Sequence, residues 1–121
     1  MASSIIREDW SNRIPFKLIY GENYTAGTAN TWIKTSTNCS IPYTGLYRIR
    51  ASFANAGVYG LGYSENNVTN VNAMYVLEEH TLSASIDNVF FLPAGSWAFW
   101  TKCSQTGGRN SLMIWLLYRL E

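Results

Sequence analysis

The sequence contains a single histidine, His80, and this limits the chemistry available to the chain. A Ser-His-Asp or Cys-His relay would have no spare base. Glu78 lies two residues before His80, so both side chains would share one face of a strand and could hold a metal ion with a third ligand. No third ligand lies at a useful spacing. We therefore predict an exposed polar edge at this position.

Two other motifs that could support catalysis have simpler explanations. Glu78 and Glu79 are adjacent, and neighbours in a strand point to opposite faces, whereas acid–base chemistry needs two carboxyl groups that converge across a cleft. Gly107-Gly108-Arg109 is too short for a phosphate-binding loop and is not followed by Lys-Ser or Lys-Thr. It is predicted to be the tip of a hairpin. The sequence thus predicts a non-catalytic protein with no metal and no cofactor.

The composition indicates surfaces that are covered by partners. Apolar residues make up 47% of the 121 residues, and charged residues make up 14%, against a usual share of about 25%. The net charge is +1, with no basic stripe that would neutralise nucleic-acid phosphates. No apolar run approaches the roughly 20 residues of a membrane span. Charged residues stand where a signal peptide would be apolar, so we expect assembly in a cytosol.

Cys39 and Cys103 are the two cysteines. In a reducing compartment we expect both to be free thiols in or near β-structure.

Hydrophobic periodicity predicts an all-β fold, specifically an antiparallel two-sheet β-sandwich. Short runs of period-two alternation are separated by Gly, Asn, Thr and Pro. In the clearest strand, 46–53, one face carries Tyr47, Ile49, Ala51 and Phe53. Other strands are predicted over 14–20, 32–35, 58–64, 74–77, 81–92, 96–102 and 111–120.

Glycines interrupt one of these strands, 58–64. Gly60 and Gly62 remove side chains from one face only, so either something packs closely there or the strand bends.

Two predicted strands are apolar on both faces, residues 97–100 (Trp-Ala-Phe-Trp) and residues 112–118 (Leu-Met-Ile-Trp-Leu-Leu-Tyr). A sheet whose outer face meets water should alternate apolar and polar residues. The second sheet of the sandwich can cover only one of the two faces. We therefore predict that another chain covers the other face, as in an oligomer.

Two segments resemble the jelly rolls of tumour-necrosis-factor-like proteins and complement globular heads. Residues 44–49 (Thr-Gly-Leu-Tyr-Arg-Ile) resemble the Gly-x-Tyr strand. Residues 82–85 (Leu-Ser-Ala-Ser) together with 89–96 are similar to the S-x-S … L-x-x-Gly-Asp corner of these proteins. Ser96 stands where that corner usually has Asp. The resemblance implies a homotrimer, with the strands around Leu46, Ser96 and Ser111 nearest the three-fold axis.

Jelly rolls of this kind that lack a stalk occur among bacteriophage virion proteins. The resemblance therefore implies a virion structural protein, a capsid decoration or a fibre or tail component, with other virion proteins as partners. The residues predicted at the trimer interface are Leu46, Arg48, Trp97, Phe99, Trp100, Met113, Trp115 and Leu117.

The alternative function is a carbohydrate- or receptor-binding module that meets a host surface. It would act through the predicted loops 24–30, 65–72 and 105–110. Trp10 and Trp32 lie outside the strong strands and are the better candidates for an outside contact.

The chain is predicted to comprise an N-terminal arm, 1–13, and a jelly-roll domain, 14–121. Ile5, Ile6 and Trp10 are apolar side chains that a free tail would not need. We predict that they either dock the trimer onto a larger assembly or fold back on their own trimer.

Overall fold

A computed structural model of the protein describes residues 17–25, 29–103 and 109–120. The predicted arm, with Ile5, Ile6 and Trp10, lies outside these ranges. No helix in the described part of the chain is long or apolar enough to cross a membrane. Six strands form within these ranges, with a 3-10 helix at Val71–Ala73: β1 (Lys17–Thr25), β2 (Ile33–Ile41), β3 (Gly45–Ser64), β4 (Tyr75–Leu92), β5 (Gly95–Cys103) and β6 (Arg109–Arg119).

β3 and β4 are long enough to take part in two sheets. The first part of β3, 45–52, pairs with β6 and with residues 85–92 of β4. The second part, 57–64, pairs with β5 and with residues 75–83 of β4. Sheet I therefore has the order β1-β6-β3-β4 and sheet II the order β2-β5-β3-β4, both antiparallel. The predicted two-sheet jelly-roll sandwich is confirmed.

The strand boundaries differ from prediction because two strands continue, with a bend, where separate strands were predicted. The predicted strands 46–53 and 58–64 are one strand, β3, and the predicted strands 74–77 and 81–92 are one strand, β4. The β3–β4 register shifts between Ser52 and Gly57, and an irregularity of this kind bends a hydrogen-bonded pair without ending it. The predicted edge strand 32–35 extends to Ile41, and β1 continues past Gly21 to Thr25.

The alternation predicted for β3 is confirmed. Tyr47, Ile49, Ala51 and Phe53 are all buried in the core between the sheets. The Tyr47 hydroxyl donates to the carbonyl oxygen of Tyr43 and accepts from its backbone N–H. These bonds fix the bend that leads into β3.

Candidate functional site

The outer face of sheet I is apolar and open to solvent. Leu112, Ile114 and Leu116 of β6 are buried in the core, so Met113 and Trp115 between them point outward. Trp115 aligns in the cross-strand register with Leu18 of β1 on one side and with Arg48 of β3 on the other. Arg48 aligns in turn with Val89 of β4, and Leu46 aligns with Phe91. We call this surface the sheet I face, and its apolar members are Leu18 (47% exposed), Leu46 (38%), Val89 (53%), Phe91 (53%) and the partly buried Met113 and Trp115.

Arg48 and Asp87, at the centre of the sheet I face, are paired with each other. The exposed Arg50 lies beside them, in register with Met113 and Asp87. Arg48 Nε and Nη2 donate to Asp87 Oδ1 and Oδ2 at 2.7 and 2.6 Å. The guanidinium also lies 4.8 Å from the centroid of the Trp115 ring. The two hydrogen bonds from Arg48 hold the pKa of Asp87 below its usual range. A partner could therefore cover this pair without leaving either charge unpaired.

One edge of the sheet I face is recessed. A groove of about 270 Å³ runs between β1 and β6, and Gly21, which has no side chain, contributes to its lining. The opposite edge, on β4, carries the exposed Val89 and Phe91. The two edges of the same face thus differ in shape. The groove is lined by Leu18, Gly21, Glu22, Asn23, Ser111 and Met113.

The structure separates the predicted interface residues into two groups. The first group lies on β3 and β6 of sheet I and comprises Leu46, Arg48, Met113, Trp115 and Leu117. The second group, Trp97, Phe99 and Trp100, lies on β5 in sheet II, as does Ser96. Leu46 and Ser111, which the resemblance places near the axis, are together in sheet I, whereas Ser96 is not.

The chain itself covers the outer face of β5. Phe99 is fully buried in the inter-sheet core, and Trp100 is only 4% exposed. Trp100 Nε1 donates to Ser64 Oγ at 2.7 Å, and the Lys34 ammonium lies 5.6 Å from the Trp100 ring. Lys34 in turn donates to the carbonyl oxygen of Asn66 at 2.9 Å. Phe99 and Trp100 were predicted to be buried by a partner chain. Residues of the same chain bury them instead.

The close packing predicted at Gly60 and Gly62 is confirmed. A Cβ on Gly60 would lie 2.5 Å from the Trp32 ring, and a Cβ on Gly62 would overlap Met74 Sδ. Trp32, predicted as a candidate for an outside contact, is partly buried on Gly60, with the Lys102 ammonium 5.2 Å from its ring. The segments that carry Trp32 and Met74 thus cover part of the outer side of sheet II. No segment among the described residues covers the sheet I face in this way.

Glu78 and His80 share one face of β4, as predicted. His80 Nε2 lies 2.7 Å from Glu78 Oε2, and Asn88 Nδ2 donates to Glu78 Oε1 at 2.6 Å. Asn88 belongs to the sheet I part of β4, so Glu78 ties the two parts of the bent strand together. Among the described residues, no group of three or more His, Cys, Asp or Glu side chains could hold a metal ion.

Both cysteines are free thiols and both are buried. Cys39 lies on β2 near Tyr20 and Glu22 of β1, where Tyr20 Oη and Ser36 Oγ donate to the Glu22 carboxylate at 2.7 and 2.6 Å. Burial is the main cause that raises the pKa of Cys39 to about 11. Because the thiolate is the reactive form, Cys39 should be inert at neutral pH.

We expect Cys39 and Cys103 to resist iodoacetamide in the native protein at neutral pH and to react fully after denaturation. Mass spectrometry of non-reduced digests would count the labelled thiols. Rapid labelling of the native protein, or a peptide cross-linked through both cysteines, would contradict this expectation.

No protein-family profile matches the chain, and no curated protein matches its sequence. Among solved structures, the chain is similar to the carbohydrate-binding module CBM6cm-2 from Cellvibrio mixtus lichenase 5A, in complex with cellotriose. The identity is 22% and the TM-score 0.46, over 92% of this chain and 94% of the module.

The chain is also similar to two further solved structures, at lower identity. The C-terminal CBM6 of LamC from Zobellia galactanivorans is 16% identical with a TM-score of 0.47, over 88% of this chain and 95% of that chain. PirA is 12% identical with a TM-score of 0.39, over 80% and 93% of the two chains.

Proposed function

We propose that the protein is a non-catalytic assembly module that associates with copies of itself through the sheet I face. The observation that carries the proposal is the exposure of four large apolar side chains on one continuous sheet surface: Leu18, Leu46, Val89 and Phe91. Contiguous apolar patches of this kind usually mark sites of interaction in soluble proteins.

The unequal edges of the sheet I face favour a cyclic assembly. Val89 and Phe91 are exposed on the β4 edge, and the groove beside Leu18 and Met113 lies at the β1 edge. A contact that joins two unlike surfaces is heterologous, and it closes into a ring when the rotation between copies permits. A ring of three copies would agree with the homotrimer that the resemblance implies.

Multi-angle light scattering of the full chain at micromolar concentration tests this proposal. The exposed apolar side chains of the sheet I face and its satisfied Arg48–Asp87 pair favour association. We expect the mass of three chains, the number that the resemblance implies. A well-behaved monomer would remove the proposal.

A place in a virion is a further proposal that rests on the resemblance and on the N-terminal arm. We expect the oligomer to sediment together with purified virus particles. A variant that lacks residues 1–11 should remain an oligomer but should no longer sediment with the particles. A truncated protein that melts at a much lower temperature would assign Ile5, Ile6 and Trp10 to the domain's own fold.

Carbohydrate or receptor binding is a second candidate function. The observation in its favour is Tyr75, which is 59% exposed three residues after the end of the asparagine-rich loop 65–72. Tyr75 begins β4 in sheet II, away from the sheet I face. The two functions therefore use separate surfaces of the same domain.

A further inference from the structure

We propose that Tyr75 and Tyr63, with the amide side chains of the preceding loop, form a binding site for a neutral oligosaccharide. The site lies at the end of the sandwich where β3 ends and β4 begins. This inference rests on the second candidate function and does not depend on assembly through the sheet I face.

The aromatic part of the site is held in place from the core outward. Trp97 Nε1 donates to the Pro93 carbonyl oxygen at 2.9 Å, which fixes the indole. Tyr63 meets Trp97 edge to face, with ring centroids 5.4 Å apart and an interplanar angle of 87°. Tyr75 packs against Tyr63 at 5.3 Å with an angle of 38°. An exposed ring supported in this way needs little further ordering when a ligand binds.

The polar part of the site consists of amide groups. Asn70 Oδ1 accepts from the backbone N–H of Asn72 at 2.9 Å and caps the 3-10 helix that leads towards Tyr75. The Asn72 side chain is exposed and has no hydrogen-bond partner among the described residues. A carboxamide offers both donors and an acceptor, which matches the hydroxyl groups of a sugar.

The ligand class follows from these two parts together. An aromatic face packs against the apolar C–H face of a sugar ring, while neighbouring polar groups fix its orientation. Residues 66–77 contain no charged side chain. The two flanking charges are both carboxylates, Glu65 and Glu78, and Glu78 is already paired with His80 and Asn88. The segment itself thus offers no cation to an anionic ligand, and the Lys34 ammonium that contacts it already donates to the carbonyl oxygen of Asn66, which favours a neutral saccharide.

Titration of the full chain with cellohexaose, maltohexaose and chitohexaose, followed by calorimetry, tests the site. Heparin and a proline-rich peptide serve as comparison ligands. We expect saturable binding of at least one neutral hexasaccharide, weakened about tenfold or more by Tyr75→Ala through loss of ring stacking. Tyr75→Phe should retain binding within about threefold, since it keeps the ring.

Val76→Ala is the matched control. Val76 is 52% exposed, close to the exposure of Tyr75, and its side chain points to the opposite face of the same strand. This variant should bind like the unmodified chain. Failure of every neutral saccharide to bind, binding that Tyr75→Ala leaves unchanged, or binding of heparin or the peptide alone would overturn the proposal.

The oligomeric state of each variant separates this inference from the assembly proposal. Light scattering that gives a monomer, together with saccharide binding that depends on Tyr75, would remove the assembly proposal and support the site. A trimer that binds no neutral saccharide would support the assembly proposal and overturn the saccharide site.

Discussion

Replacing Phe91 with aspartate is expected to convert the oligomer into a folded monomer. Phe91 is 53% exposed in the single chain, so the change should affect the protomer little. In the assembly it would remove a phenylalanine whose burial contributes about 1.5–3 kcal/mol and would place an unpaired carboxylate in an apolar contact. We expect association to weaken by at least about 100-fold. Light scattering over a dilution series, with a thermal melt of each sample, measures both effects.

Val76→Asp is the control for this prediction. Val76 has nearly the same exposure as Phe91 but lies on the outer side of sheet II. This variant should remain oligomeric. If both variants dissociate, general surface charge and not the sheet I face controls assembly. If neither dissociates, the interface lies elsewhere.

Gly45→Ala should destabilise the fold by about 3 kcal/mol or more. Gly45 pairs with Arg119 at the start of the β3–β6 ladder. A Cβ at Gly45 would overlap the carbonyl oxygen of Tyr118 and would lie 2.9 Å from the Cα of Arg119. These are backbone atoms, so relief of the overlap requires the two strands to separate. Urea denaturation monitored by tryptophan fluorescence gives the free energy of unfolding.

Gly21→Ala provides a matched comparison in the same sheet. A Cβ there would make ordinary contacts, 3.8 Å from Leu18 Cδ2 and 3.9 Å from Met113 Cγ. Loss of unfolded-state freedom should make this variant more stable by about 0.4–1 kcal/mol. Equal destabilisation of both variants would show that loss of glycine, and not the overlap at Gly45, is responsible.

Local alternation was sufficient to predict the fold class. The Tyr47–Phe53 pattern indicated a strand with one buried face, and the structure buries that face. Alternation could not show that β3 and β4 each pass through both sheets. Residues 54–57 lie between two predicted strands, yet β3 continues through them, with a register shift between Ser52 and Gly57. A bend and a turn have similar compositions, and only tertiary pairing distinguishes them.

The two-sided apolar pattern corresponds to the candidate interface only for the strand whose outer face no other described part of the chain covers. For β6, the two-sided apolar pattern at Met113 and Trp115 does correspond to a partly exposed outer face. For β5 the same pattern was misleading, because Ser64 and Lys34, which is itself held by the Asn66 carbonyl oxygen, contact Trp100. These residues lie more than thirty positions away from Trp100 in sequence, so no local pattern reveals the contact.

The continuous passage of β3 and β4 through both sheets has a consequence for folding. Their pairing begins across the connection 65–74, which costs less closure entropy than the far longer separation between β1 and β6. It also lays down one strand pair of each sheet at once. β1 must instead find β6 near the other end of the chain. We therefore expect the bent hairpin to form first and β1 to dock late. Native-state hydrogen exchange should follow the same order in reverse, with the amides of β1 opening first and those of central β3 exchanging only when the whole domain unfolds.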